Sequence, residues 1–187
     1  MKALAPIILC LSWCALLPGC KKDSPAGSGD GQTKTITDLV VKNNEIAGWT
    51  YSGSGWTANN LSELTTYIDG AADIYRQHGF IEASHQEYQG TVNSASAVVK
   101  LTVYSQGTST NASQLYADPA LGFNGAIDWA GGAGDAAHYV RNGGLSQVLA
   151  FYRNGHFVYI EINADTNESL NVIQQFALNV DGKIKNG

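Results

Sequence analysis

The sequence predicts an α+β domain: an antiparallel or mixed β-sheet with helices packed mainly on one face. Three stretches carry that prediction. Ala97 to Tyr104 alternates, with Val99, Leu101 and Val103 on one side and Lys100 and Thr102 on the other, the pattern of a strand with one buried face. Val148 to Tyr152 and Phe157 to Glu161 flank Asn154-Gly155, a type I′ hairpin signal because both central residues of that turn take positive φ. Leu61, Leu64, Ile68, Ala71 and Tyr75 recur at three- and four-residue spacing and give a helix one apolar stripe. Adjacent strands separated by helices belong to the α+β class. No fixed repeat points to a solenoid or propeller.

Taken in order, the folded part starts near Ile36 to Val41, and Gly48-Trp49-Thr50-Tyr51 reads as a short strand. Asn60 is placed as an N-cap, with Glu63 at the capping-box position of the first long helix. His78 and Gly79 close that helix, Gly79 as a left-handed cap. Gly70 interrupts it at a cost of about 1 kcal/mol relative to Ala, which implies either a close approach by another element or a kink. Phe80 to Gln89 and Ala97 to Tyr104 are strands joined by a short link, so they pair antiparallel. A brief helix from Asn111 to Ala117 is stopped by Asp118-Pro119. Residues 119–144, rich in Gly around Trp129, show no readable element. A last helix runs from Asn167 to Val180 with Leu170, Ile173, Ala177 and Val180 inward and Gly182 as its cap.

The N-terminus has a different character. Lys2 precedes an apolar run from Ala3 to Leu17, too short for the roughly 20 residues of a membrane span. It has the length of a secretory signal core. The run closes on Leu17-Pro18-Gly19-Cys20, which resembles the lipobox of bacterial lipoprotein signal peptides. The resemblance implies that Cys20 becomes the first mature residue and carries lipid on its sulfur. Residues 1–19 are then the signal peptide, 20–35 the lipidated cysteine and a flexible tether, and 36–187 the globular domain. A coil of that length spans about 20 Å. The expected location is the bacterial cell envelope, lipid-anchored. The outer membrane is favoured because Lys21, not Asp, follows the cysteine; in enteric bacteria that Asp resembles an inner-membrane retention signal.

Removing residues 1–19 leaves 168 residues, enough for one domain with a core. It also removes Cys10 and Cys14, so a lipidated Cys20 leaves neither a disulfide nor a thiol nucleophile nor a cysteine metal site. Loss of Lys2 takes the formal charge from −5 to −6, which disfavours nucleic acid. Attachment to a membrane rests on the acyl chains, each buried methylene contributing about 0.8 kcal/mol.

The segment Tyr67-Ile68-Asp69-Gly70-Ala71-Ala72-Asp73-Ile74-Tyr75, followed by Gly79-Phe80, resembles a family of exported bacterial domains of unknown function. Its core pattern is Y-I-D/N-G-A/G-A-E/D-x-Y…G-F. Ile46-Ala47-Gly48-Trp49, Val99 to Tyr104 and the Phe151 to Val158 hairpin occupy the corresponding places, so the resemblance spans residues 39–181. Asn111-Ala112-Ser113-Gln114-Leu115 and the Gly-rich stretch near Trp129 depart from it. The family implies an export-associated α+β domain and supplies no catalytic residues.

Candidate ligand-binding residues are Asp69, Asp73, Trp56 and Trp129. The two Asp are four apart and share one face of the expected helix, where paired carboxylates can bind a cation or divide acid and base roles. A structural hydrogen-bonding role is the competing reading. Trp56, in Gly-Ser-Gly-Trp-Thr, and Trp129, in the Gly-rich loop, are placed in turns where aromatics stack on sugars or anchor a partner. Gly131-Gly132-Ala133-Gly134 lacks the Lys-Ser/Thr of a phosphate loop and reads as a mobile surface loop able to act as a lid. The four histidines show no metal-ligand spacing and read as surface or hairpin residues. No cofactor is implied. The expected function is a non-enzymatic binding domain for an envelope protein or glycan. The alternative is a small-molecule or glycan binder or hydrolase built on the loop aromatics and Asp69/Asp73.

Overall fold

The computed structural model describes residues 34–187. Cys20, the expected signal peptide and most of the expected tether lie outside those residues. The domain is α+β, built on one seven-stranded antiparallel sheet of order β1-β2-β3-β7-β6-β5-β4. Its strands are β1 (Thr50–Ala58), β2 (Glu82–Val92), β3 (Ala95–Ser105), β4 (Ile127–Asp128), β5 (Ala136–Arg141), β6 (Gln147–Arg153) and β7 (His156–Ile162). The helices are α1 (Ile36–Leu39), α2 (Leu61–Ile68), α3 (Ala72–Gln77), α4 (Ser109–Tyr116) and α5 (Asn167–Lys185), with 3₁₀ turns at Asp69–Ala71 and Pro119–Leu121. None of the described helices is long and apolar enough to cross a membrane.

Alternation along the central strands sorts the core into two layers. Val99, Leu101, Val103, Val158, Ile160 and Ile162 point to one face, where Ile173, Phe176, Ala177 and Val180 of α5 cover them, with α1 beside them. Tyr104, Phe157, Ala150 and Ala83 point to the other, under Leu64, Tyr75 and Leu115 of α2, α3 and α4. The helices are therefore shared between both faces, the long one on one side and the short ones on the other, rather than gathered mainly on one. That explains β6, where five successive residues from Gln147 to Phe151 are buried; a strand covered on both faces loses its polar alternation.

Local signals account for most elements. Asn60 accepts from the Glu63 amide at 3.0 Å, and the Glu63 carboxylate returns to the Asn59 amide at 2.7 Å, one residue earlier than a standard capping box. The helix that follows breaks where the stripe looked continuous. Asp69 stands at φ 54, ψ −139, so the stripe is divided between α2 and α3. A Cβ on Gly70 would meet nothing within 4 Å, so the break, and not close approach, explains that glycine. Beyond it, His78 caps α3 and Gly79 follows at φ 75.

Other differences have equally local causes. The β2–β3 turn is the two residues Asn93 and Ser94, both at positive φ, so the strands run longer than expected. In the β6–β7 turn Asn154 has φ 52 but Gly155 is not left-handed; glycine is needed there because a Cβ would sit 2.9 Å from the Gly107 backbone. Gly182 lies inside α5, which continues to Lys185. Residues 119–144 hold a 3₁₀ turn, the two-residue edge strand β4 and its neighbour β5, too short or too glycine-flanked to show a period.

Candidate functional site

On the short-helix face, α4 covers β6 and β7 while α2 and α3 lie towards β1 and β2. Between them a cleft of about 460 Å³ remains open over the middle of the sheet. Its floor is set by register. Glu87, Lys100 and Glu161 are directly opposite one another on β2, β3 and β7. In the next inward row Trp56, His85, Thr102 and Tyr159 align on β1, β2, β3 and β7. The opposite wall is apolar, formed by Ile68, Ala71 and Ile74 of the α2–α3 segment and Leu121 of the second 3₁₀ turn.

The polar groups of the floor are partly tied to one another. His85 Nδ1 and Thr102 Oγ1 are hydrogen-bonded at 2.8 Å. The far side of that imidazole, Nε2, is 3.9 Å from Glu87 Oε1, and Lys100 Nζ is 4.0 Å from the same oxygen. Burial holds His85 below its ordinary value, against the pull of Glu87, so the ring is neutral at neutral pH. Burial likewise raises the phenol of Tyr159 to about 12, with the Glu161 charge adding to it. The floor is thus a set of neutral donors and acceptors flanked by two carboxylates and one ammonium.

Trp56 lines this cleft, but it is not in a turn. It belongs to β1, where the ladder jumps between Ser52 and Trp56 and leaves Gly53-Ser54-Gly55 as a bulge. Both faces of its indole are covered: Tyr67 stacks at 4.5 Å and 6°, His85 at 5.0 Å and 7°. Only its edge is available to a ligand, which removes the ring-on-sugar stacking expected of it.

The other expected residues do not join it. Asp69 and Asp73 do not share a helix face, because the positive-φ break at Asp69 intervenes. Both are exposed, and Asp73 pairs with Arg76 at 3.1 Å. Trp129 packs against the α5-side core, on the opposite face and at the opposite edge of the sheet, on the order of 30 Å away across seven strands. A single cleft built from Trp56, Trp129 and the Asp pair does not exist.

The Gly-rich loop is pinned rather than mobile. The Trp129 ring covers Gly131, where a Cβ would fall 2.0 Å from the indole. The Gly134 amide donates to Asp181 Oδ1 at 3.0 Å, and Arg153 bonds the Gly134 carbonyl, Asp181 and, at 2.9 Å, Asp135. The histidines are not simply surface residues either. His78 bonds Asp118 at 2.7 Å and ties α3 to the second 3₁₀ turn, while His138 is buried, stacked on Tyr116 at 4.4 Å.

The floor residues missed from sequence are His85, Glu87, Thr102, Tyr159 and Glu161, with Lys100. The available signal was the charge on the polar side of β3 and β7, on a face that helices partly cover. Among the described residues no cluster of His, Cys, Asp and Glu is arranged to hold a metal ion. No protein-family model, curated protein or solved structure matches the chain.

Proposed function

We propose that this chain is a lipid-anchored protein of the bacterial cell envelope whose domain is a non-enzymatic binding module. The small molecule it takes lies in the cleft between the α2–α3 segment and the sheet. The observation that supports this reading is the cleft itself. Its size lies in the range of small-ligand sites, and it sets an apolar wall against a few convergent polar groups. Binding is favoured over catalysis because the Thr102–His85 pair has no third group hydrogen-bonded to orient the imidazole, Glu87 standing 3.9 Å from its Nε2. The acidic chain makes nucleic acid a poor partner.

Two experiments test the two halves. Fatty-acid labelling of wild type and Cys20→Ala, with fractionation, should show label and membrane recovery for wild type alone. Unlabelled wild-type protein free in the periplasm would refute anchoring. Ala71→Trp fills the cleft from its apolar wall. Native mass spectrometry of protein isolated from envelope should show a bound small molecule for wild type that this variant lacks; identical spectra would refute the cleft as the site.

A further inference from the structure

The cleft floor does not balance its charges. Lys100 stands 4.0 Å from Glu87, and that carboxylate is also the closest acidic group to His85. Glu161, across β3 from Glu87, makes no hydrogen bond or ion pair among the described residues, although it faces the cleft. His85 adds no positive charge at neutral pH, being held neutral by burial. The cleft therefore presents two carboxylates against one ammonium, and Glu161, although opposite Lys100 in register, makes no ion pair with it.

Stacking on the faces of the Trp56 indole is closed at the same time. Trp56 is sandwiched by Tyr67 and His85, and Tyr75 and Tyr104 stack on each other at 4.2 Å. The cleft sets a carboxylate without a hydrogen bond or ion pair at one side and the apolar wall of Ile68, Ala71, Ile74 and Leu121 at the other. A polyol would satisfy the floor and leave that wall in contact with hydroxyls. A carboxylic acid would meet two like charges. A molecule charged at one end and apolar at the other satisfies both.

We infer that the cleft binds a small amphipathic amine, its ammonium paired with Glu161 and its apolar part against the α2–α3 segment. This rests on the cleft being the binding site, as proposed above. Glu161 is half-buried, so the pair would be partly desolvated, and an ammonium–carboxylate bond is then stronger than in bulk water. Glu161 then acts as the specificity-determining residue, and the apolar wall supplies contact area with little selectivity.

Three probes of matched shape separate the claims: phenethylamine, 2-phenylethanol and 3-phenylpropionate. They are titrated calorimetrically into the full chain as isolated, held in zwitterionic nanodiscs, with empty nanodiscs as blank. Phenethylamine should bind at least about tenfold more tightly than either of the others, and Glu161→Gln should remove about that factor for the amine alone. Glu161→Lys should reverse the order in favour of 3-phenylpropionate, which keeps the test decisive if the neutral variant is poorly folded. Equal binding of all three, abolished by Ala71→Trp, would overturn the amine assignment and leave the cleft standing. No binding of any probe would overturn both.

Discussion

Asp181 is the residue on which the far end of the sheet turns. It lies on α5 with about 1 % of its surface exposed. Its carboxylate accepts from Arg153, from the Gly134 amide at 3.0 Å and from Lys185 at 2.6 Å. Replacing it with Ala removes three charge-assisted or buried bonds at once. Breaking a buried ion pair by deleting one partner costs about 3–5 kcal/mol, because the other charge is left uncompensated. Here Arg153 keeps Asp135 at 2.9 Å, so its charge is not stranded and the lower end applies, about 3 kcal/mol. In a domain of this size that is a fall in Tm of roughly 6–12 °C, read by calorimetry or urea denaturation. Asp181→Asn keeps an acceptor but loses the charge, and should cost about half as much.

The pH dependence gives an independent check. Burial by itself would raise the Asp181 carboxyl, but the bonds from Lys185, Arg153 and Gly134 outweigh it and hold the group below its ordinary value. A depressed acid contributes stability that is present above its unfolded value of about 3.9 and is lost as pH falls through the folded one. The gap between wild type and Asp181→Asn should therefore be full at pH 7 and close below about pH 4. An Ala variant within about 1 kcal/mol of wild type, or a gap unchanged at pH 3, would refute the reasoning.

Two further substitutions probe the backbone. Asp69→Gly relieves a residue held at φ 54, ψ −139, a region that strains any side chain, and should raise Tm by a few degrees, corresponding to about 1 kcal/mol; a lower Tm would mean that the Asp69 side chain contributes more than its strain costs. Gly90→Ala places a methyl 2.6 Å from the buried Trp49 ring and should destabilise by about 1–3 kcal/mol, with a shift in near-ultraviolet circular dichroism as the indole moves.

The parts of the fold that were legible are those whose cause is local. The Asn60/Glu63 cap, the alternation of β3 and the hairpin at Asn154-Gly155 each lie within a few residues, and each element forms where those residues place it. The misread details are those in which a distant contact decides. Gly131 looks flexible until the Trp129 ring is seen to cover it, and Gly155 looks like a left-handed turn residue until the Gly107 backbone is seen against it. Gly182 reads as a cap until the packed face of α5 carries the helix past it. A tertiary contact overrides propensity in each case.

The cleft was hidden for a related reason. Glu87, Lys100 and Glu161 are ordinary strand residues one by one, separated by 13 and 61 positions in the chain. The β2–β3 hairpin aligns the first two, but only the pairing of β3 with β7 adds Glu161, and that pairing joins two hairpins across some fifty residues. Asp69 and Asp73 stand out in the sequence because their spacing is short, and a short spacing is informative only while the helix between them is continuous. The break at Asp69 removes that condition and at the same time sets Ile68 and Ala71 over the sheet as the cleft's apolar wall. The YIDGAA segment thus gives the cleft its backbone break and its apolar side chains, while the charged groups that line it come from the strands beneath.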